Sequence, residues 1–294
     1  MGRIAALLVA VVTAVLLSGW ASASQRLPAN GRIALVQVSS CGEDCETHAV
    51  WTLNADGSGL RRLGPGEGAV WAPDGKSIAF LDDDRSYERG VYLMRPDGTA
   101  RRLLTRCGGY CYRISWRPRT HVLTVEKWDV DGGHFLFDTV RKTRRPFPAG
   151  RAGGYFSWAP DGRRLAYAGA GNGVYVVNAD GGGRRTVVPA GGCVGNPHPA
   201  WSPDGRWIAY SCDRPKDGIW RVHPDGSGRR LLVRGSEYGG QPGYAWSPDA
   251  TKLAYLFSGS ALGILDTHTG KATPVPWRKA GEPQNPDWQP VIRP

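Results

Sequence analysis

The chain of 294 residues carries 37 lysines and arginines against 26 aspartates and glutamates, a formal net charge of +11. For an exported protein this balance favours anionic partners, such as cell-envelope polymers, lipids or acidic substrates. Nucleic acid is excluded as a partner, because the N-terminal segment directs the chain out of the cytoplasm.

That N-terminal segment has the three parts of a secretory signal peptide. Arg3 supplies a basic start, residues 4–17 are apolar apart from one threonine, and residues 21–23 (ASA) fit a cleavage site. Fourteen residues of helix reach about 21 Å, short of the roughly 30 Å hydrocarbon core of a bilayer. We therefore expect cleavage of residues 1–23, in preference to an uncleaved anchor, and no stable membrane insertion afterwards. The mature chain keeps 36 basic and 26 acidic residues, a net charge of +10.

Tryptophans recur along the mature chain at intervals of 42 to 45 residues. They are Trp71, Trp116, Trp158, Trp201, Trp246 and Trp288. Four of them begin nearly the same phrase, which reads WAPDG at 71–75 and 158–162, WSPDG at 201–205 and WSPDA at 246–250. A period in the low forties is the length of one four-stranded propeller blade.

Each repeat contains turns and short strands but no helical pattern. Two apolar strands follow the tryptophan, as at residues 78–80 and 91–94, and a last strand often begins with paired arginines, as at Arg101 and Arg102. Strands bounded by Gly, Pro, Asn and Asp predict antiparallel hairpins, and the aspartate of each Pro-Asp-Gly turn should accept backbone hydrogen bonds. We name the strands of a blade A (with the tryptophan), B, C and D from the axis outward. The paired arginines are then solvated edge charges of strand D, or a basic binding rim.

The two ends of the mature chain complete one blade. Residues 30–35 match the second half of the repeated phrase without its tryptophan, and residues 286–290 match the first half alone. An open ring would leave unpaired strand edges. The strand around Trp288 should therefore become strand A of the N-terminal blade, which predicts an all-β, six-bladed β-propeller of four-stranded antiparallel blades over residues 24–294. Blade 3 is degenerate, because residues 116–119 lack the Asp-Gly pair.

The repeats resemble those of the TolB-type, WD-like β-propeller family, whose mark is the phrase Trp-Ser-Pro-Asp-Gly-x-x-Ile-Ala-Phe/Tyr. The resemblance covers nearly all of residues 30–294 and implies an interaction platform. TolB carries a further domain before its propeller, and the related prolyl oligopeptidases carry a hydrolase domain beside theirs. Six blades of about 43 residues use up this segment, so a stand-alone propeller is expected.

The six cysteines are even in number and suit an oxidising compartment. The repeat frame places all of them in D–A or B–C loops, which project from one face of a propeller, here named the cysteine face. The two C-x-x-x-C pairs lie two blades apart without the spacing of zinc modules, so disulfides are preferred to a metal site. The expected pairs are Cys41–Cys45, Cys107–Cys111 and Cys193–Cys212. Acidic runs at 82–85 and 129–132 lack the ligand series of a calcium loop and are read as hairpin turns, so no metal and no cofactor is predicted.

A ring of polar residues is predicted at the mouth of the axial channel, where the D–A loops converge. It comprises Glu67, Tyr112, Arg113, Tyr155, His198, Tyr244 and Asn285, with Gln284 beside Asn285. The mixture suits a polar or saccharide-like ligand better than a metal cluster. Alternatively, these side chains plug the channel and hydrogen-bond to water.

Two functions stay open. The first is a monomeric, non-catalytic propeller, secreted or in the periplasm or cell envelope, that binds a protein or an anionic envelope polymer through the cysteine face. The second is an enzyme acting on a carbohydrate or lactone at the channel mouth, with Glu67 and His198 as its acid–base pair. No nucleophile elbow, phosphate loop or zinc-protease motif is present, so no catalytic residue is assigned.

Overall fold

The computed structural model describes most of residues 29–291. The described residues are 29–42, 45–83, 88–128, 134–147, 155–193, 197–212, 218–234, 243–257, 261–277 and 281–291, without the side chains of 41, 42, 45, 170 and 257. The predicted signal peptide, residues 84–85 of the first acidic run and the whole of the second run lie outside them. So do the side chains of Cys41 and Cys45, whose pairing stays a prediction.

Within these residues the chain forms 24 strands and one short 3-10 turn, Ala170–Asn172. The strands are β1 (Ala29–Gly42), β2 (Cys45–Leu53), β3 (Arg61–Pro65), β4 (Glu67–Trp71), β5 (Ile78–Asp83), β6 (Arg89–Met94), β7 (Arg102–Arg106), β8 (Tyr110–Trp116), β9 (Val122–Trp128), β10 (Phe135–Asp138), β11 (Thr143–Pro146), β12 (Phe156–Trp158), β13 (Arg164–Ala168), β14 (Val174–Asn178), β15 (Arg185–Val188), β16 (Ala200–Trp201), β17 (Ile208–Cys212), β18 (Gly218–Val222), β19 (Arg230–Arg234), β20 (Tyr244–Trp246), β21 (Lys252–Phe257), β22 (Ala261–Asp266), β23 (Ala272–Val275) and β24 (Glu282–Val291).

These strands form six antiparallel sheets of four, the six blades of a propeller. Blades 2 to 6 each take four consecutive strands, beginning at β4, β8, β12, β16 and β20. Blade 1 has the order β24-β1-β2-β3, with Trp288 opposite Ile33. The predicted all-β class, the blade count and closure by the C-terminal strand are confirmed.

The core lies in the wedges between neighbouring blades. Trp201 of blade 5, for example, packs in one buried cluster with Ala166 and Val176 of blade 4. The indole of Trp158 donates to Thr124 Oγ1 of blade 3 at 2.9 Å, so it also satisfies its polar atom in the preceding blade. The recurring tryptophan is therefore a wedge filler, because each blade needs one large apolar side chain at its inner edge.

The repeated A–B turns are held by their own aspartates. Asp161 Oδ1 accepts from the backbone N–H of Arg163 at 2.8 Å, and Asp204 Oδ1 accepts from that of Arg206 at 3.0 Å. Gly75 has φ 68°, and a Cβ there would lie 2.1 Å from the carbonyl oxygen of Pro290 in the adjoining blade. The turn thus needs glycine both for its left-handed backbone and for the close approach of the next blade.

The paired arginines divide into two kinds. In blades 2, 4 and 5 the first arginine of the pair stacks on an aromatic ring of its own blade: Arg101, for example, lies 4.3 Å from the Phe80 ring centroid. Arg101 and Arg229 also donate to backbone carbonyls of the preceding blade region, each at 2.8 Å. These arginines tie blades together, so the expectation of a solvated edge charge fits the second of each pair, such as Arg102, and the exposed Arg61 of blade 1.

Candidate functional site

Disulfides staple the cysteine face. Cys107 and Cys111 close the loop between β7 and β8, with 5.9 Å between their Cα atoms. Cys193, in the loop before β16, is bonded to Cys212 at the end of β17, with a Cα–Cα distance of 5.3 Å. These two of the three predicted pairs are formed, and both lie at the same end of the blades. Disulfides of this kind persist in oxidising, extracytoplasmic compartments.

Part of the predicted ring comes together near the axis at this face. The rings of Tyr155 and His198 are in contact, with 3.6 Å between centroids. The Tyr244 hydroxyl donates to the His198 carbonyl, and the His198 N–H donates to Ser211 Oγ at 3.1 Å. His198 is 3% exposed. Burial, with a smaller contribution from the positive charge of Arg113, lowers the pKa of His198 to about 3, so its imidazole is neutral near neutral pH.

A buried acid of blade 3, Glu126, lies beside Arg113, which in turn contacts the Tyr155–His198 pair. Glu126 is fully buried, and its Oε1 lies 3.7 Å from Nε of Arg113. Burial raises the pKa of Glu126 to about 7, although the Arg113 charge opposes the shift. Burial and then the Glu126 charge also raise the pKa of Tyr112 to about 12. The Arg113 guanidinium lies 5.3 Å from the Tyr155 ring centroid, so blades 3, 4, 5 and 6 meet here through their own side chains.

Glu67 belongs to a different cluster. Both of its carboxylate oxygens accept from Arg89, one of them at 3.3 Å, and Oε1 lies 3.3 Å from Nδ1 of His48. Burial disfavours the charge of Arg89, but the Glu67 carboxylate outweighs burial and raises the pKa of Arg89. Arg89 also donates to the Cys111 carbonyl. The structure therefore places Glu67 under the Cys107–Cys111 loop, with partners different from those of His198.

Tyr110 stands on top of that cluster. It is 57% exposed, and the Arg89 guanidinium lies 4.8 Å from its ring centroid. The loop that carries it is closed by the disulfide between Cys107 and Cys111. An aromatic side chain is thus presented to solvent on a short, cross-linked and supported loop.

The last predicted member of the ring lies in β24. Asn285 adopts a left-handed backbone with φ 51°, and among the described residues its buried Oδ1 has no hydrogen-bond partner. Gln284 pairs across the sheet with Val36. These residues line the inner edge of blade 1, away from the Tyr155–His198 contact.

The axial channel itself opens on the opposite face, here named the turn face because the A–B and C–D turns lie there. The cavity measures about 1720 Å³ and extends from these turns to Arg113, Ser115 and Phe156. Ser115 Oγ and Arg113 Nη1 are buried without hydrogen-bond partners among the described residues. The opening is therefore at the end of the axis away from the cysteines.

Three polar residues of these clusters were missed by the sequence analysis: Arg89, Glu126 and Asp287. Asp287 accepts from the backbone N–H of Trp71 in the next blade at 2.6 Å. Burial raises the pKa of Asp287 to about 7, against the effect of its backbone hydrogen bonds. For Glu126 and Asp287 the charge alone would have distinguished the residue from the small or apolar residues at the equivalent positions of the other blades, whereas the equivalents of Arg89 are mostly polar.

The described residues contain no group of three or more His, Cys, Asp or Glu side chains that could hold a metal ion. The same residues contain no helix long and apolar enough to cross a membrane.

Solved structures of low sequence identity share this architecture. TolB from Acinetobacter baumannii superposes with a TM-score of 0.70 at 18% identity, over 90% of this chain and 68% of that one. The fold is that of a TolB-type β-propeller. A chain of a nidogen/laminin complex superposes with a TM-score of 0.68 at 12% identity, over 88% of this chain and 98% of that one.

An enzyme shares the architecture more distantly. Oligogalacturonate lyase in complex with manganese superposes with a TM-score of 0.51 at 16% identity, over 84% of this chain and 74% of that chain. The sequence itself matches no protein-family model and no curated protein. The likenesses therefore establish the TolB-type propeller fold, while its use depends on the loops.

Proposed function

We propose that the protein is an exported, non-catalytic scaffold that binds a protein or an anionic envelope polymer on its cysteine face. The observation that carries this proposal is the packing of axial side chains at that face. His198 contacts both the Tyr155 ring and the Tyr244 hydroxyl, which joins blades 4, 5 and 6, and Glu126 of blade 3 is fully buried. Side chains packed on one another favour a docking surface over a substrate cleft.

The disulfides make that surface rigid before a partner arrives. Cross-linked loops lose less conformational freedom on binding, which favours affinity. Tyrosine is also among the residues that most often dominate binding energy at protein interfaces. Tyr110, exposed on the Cys107–Cys111 loop and supported by Arg89, has both properties. The nidogen/laminin complex supports the proposal by analogy, as a propeller of this architecture that occurs in a protein complex.

The enzyme alternative gains no specific support. It requires Glu67 and His198 to act on one substrate, yet Glu67 is ion-paired with Arg89 and His198 is enclosed by Tyr155 and Tyr244. A base whose pKa is about 3 is also poorly matched to proton transfer near neutral pH. The lyase that shares the fold is an analogy at the level of architecture alone.

The test compares two exposed positions on opposite faces. The mature chain, Tyr110→Ala and Val140→Ala would be used to capture partners from an envelope extract, and binding to the captured partner would then be measured. Val140 is 65% exposed and lies in a C–D turn, on the turn face. We expect Tyr110→Ala to weaken binding at least tenfold and Val140→Ala to leave it unchanged. Equal affinity of all three proteins would remove the cysteine face from consideration.

The turn-face cavity is a second candidate docking place, favoured by its volume of about 1720 Å³. Arg119 lines it, is exposed and has φ 61°. Arg119→Asn removes the charge with a residue that tolerates this backbone conformation. Loss of binding in Arg119→Asn with full binding in Tyr110→Ala would assign the partner to the cavity.

A further inference from the structure

A basic groove lies between blades 4 and 5, on the outer part of the turn face. It measures about 590 Å³. Blade 4 contributes Arg164 and Arg185, and blade 5 contributes Arg206, His223 and Asp225. Arg164 and Arg206 also line the axial cavity of the turn face, so the groove adjoins that cavity.

One of the three arginines is fixed and two are available. Arg164 Nη2 lies 2.8 Å from Asp161 Oδ2, and its guanidinium lies 5.1 Å from the Trp201 ring centroid. The guanidinium groups of Arg185 and Arg206 have no hydrogen bond or ion pair with any residue that the structure describes. Two positive charges, one from each blade, are therefore uncompensated in the groove.

The remaining walls are ordered by local contacts. The His223 ring stacks on Trp207 with 3.8 Å between centroids, and its Nδ1 lies 2.9 Å from the Arg206 carbonyl oxygen. Because a carbonyl only accepts, Nδ1 carries a proton. Asp225 is used by its own turn, where it accepts from the N–H and hydroxyl of Ser227 at 2.9 and 2.7 Å. One carboxylate thus faces two free guanidinium groups, and the groove stays positive.

The position of Arg164 carries different residues in the other blades. The residue before the first core position of strand B is Arg164 in blade 4 and Lys252 in blade 6, but Ser77, Val122 and Trp207 in blades 2, 3 and 5. Blade 1 has Arg32 there, and its guanidinium is already bound to the Thr52 carbonyl at 3.2 Å and to the Gly59 carbonyl. In blade 4 the ion pair with Asp161 holds this arginine in place, so Arg164 forms a wall of the groove and is not one of its free charges.

We propose that this groove binds an oxyanion group of the phosphate or sulfate type, with Arg185 and Arg206 as its ligands. Guanidinium groups hold such oxyanions in paired, charge-assisted hydrogen bonds. The groove is larger than one free ion needs, so the oxyanion is a substituent of a larger molecule, such as a repeating unit of a phosphate-bearing polymer. The site lies on the turn face and does not depend on the docking surface proposed above.

The test uses two double variants that remove the same charge. Arg185→Gln/Arg206→Gln removes the two unpaired guanidinium charges from the groove. Arg102→Gln/Arg145→Gln is the matched control, because both of its arginines are exposed and occupy the strand-D position of Arg185 in blades 2 and 3. Each protein would be titrated calorimetrically with inorganic phosphate and with a short glycerol phosphate oligomer, at one fixed ionic strength. Circular dichroism and thermal melting would confirm that both variants are folded.

The proposal expects saturable binding of the oligomer, displaced by inorganic phosphate, and a dissociation constant raised at least tenfold in Arg185→Gln/Arg206→Gln but less than threefold in the control. Vesicles of phosphatidylglycerol in phosphatidylcholine give a second arm. Binding of vesicles with the same arginine dependence would identify a lipid headgroup as the source of the phosphate, and its absence would identify a soluble polymer. Equal weakening in both double variants, or no saturable binding by the wild type, would overturn the site.

Discussion

Glu126 is an ionisable carboxyl at a position that water does not reach. Burial raises its pKa to about 7, whereas an unfolded glutamate titrates near pH 4.3. Between these values the folded chain binds a proton that the unfolded chain has released. The free energy of unfolding contributed by this group is therefore fully present below about pH 4 and is lost as the pH rises through about 7.

Glu126→Gln should remove this loss, because glutamine has the same shape without the titration. We expect the variant to be more stable than the wild type at pH 8, by about 4 kcal/mol at 1.36 kcal/mol per pKa unit, and its stability to depend less on pH between 5 and 8. Urea unfolding at half-unit pH steps measures both effects. Glu88→Gln, whose side chain is 61% exposed, serves as the control. An unchanged pH slope in Glu126→Gln would show that the buried carboxyl titrates normally.

The residues that the sequence could predict are those that repeat. The tryptophans and the turn aspartates recur in register, so their structural role is visible before any contact is known. Glu126 and Arg89 each occupy a strand position where no other repeat has the same residue. Their partners, Arg113 and Glu67, become their neighbours only after the sheets form. Periodicity carries no information on such pairs, since they depend on which strands lie side by side.

At the scale of single elements, the two described disulfides close loops of different length. Cys193 and Cys212 are 19 residues apart and join a D–A loop to strand β17, whereas Cys107 and Cys111 are 4 apart. Loop-closure entropy grows with the length of chain that is closed, and for loops of these sizes the expected contributions are about 3 and 2 kcal/mol. The longer bridge should therefore stabilise the fold more.

This difference can be measured with paired substitutions. We expect Cys193→Ala/Cys212→Ala to lose more stability than Cys107→Ala/Cys111→Ala, by about 1 kcal/mol, in guanidinium unfolding under oxidising conditions. Reduction of the wild type by dithiothreitol should lower stability by at least the sum of the two effects, because it also opens the expected Cys41–Cys45 pair. Equal losses would mean that the entropy of the unfolded loops does not dominate.

The repeat also predicted from which face each loop projects, but it did not predict at which end of the axis a cavity opens. Because B–C and D–A loops leave the same end of a four-stranded meander, the cysteines could be assigned to one face from the sequence. The same logic placed the channel mouth there. The structure shows a cavity that opens among the A–B turns, and at the cysteine end it brings side chains of blades 3 to 6 into contact. Which end of a channel is filled depends on side-chain volumes at the axis, such as the Tyr155–His198 contact.

At the scale of the whole molecule, one strand holds the ring closed. β24 pairs with β1 along most of its length, with Asn30 opposite Pro290 and Val38 opposite Glu282. Its Trp288 fills the wedge between blades 6 and 1 together with Leu35 and Leu262, and its Asp287 bonds the backbone of blade 2. The first and last parts of the chain therefore fold as one unit.

Removal of β24 should consequently destabilise the whole ring and not blade 1 alone. A chain ending at residue 281 loses the inner strand of blade 1, so the edge of β1 and the apolar wedges on both sides of it are exposed to solvent. We expect the truncated protein to bind 1-anilinonaphthalene-8-sulfonate, to associate in analytical ultracentrifugation and to lose its single cooperative unfolding transition.

A chain ending at residue 291 keeps the whole of β24 and is the control. Restoration by an added peptide of residues 282–291 would show that the lost pairing is the cause. A chain ending at 281 that stays monomeric and unfolds at the wild-type denaturant concentration would show instead that the ring is stable without its closing strand.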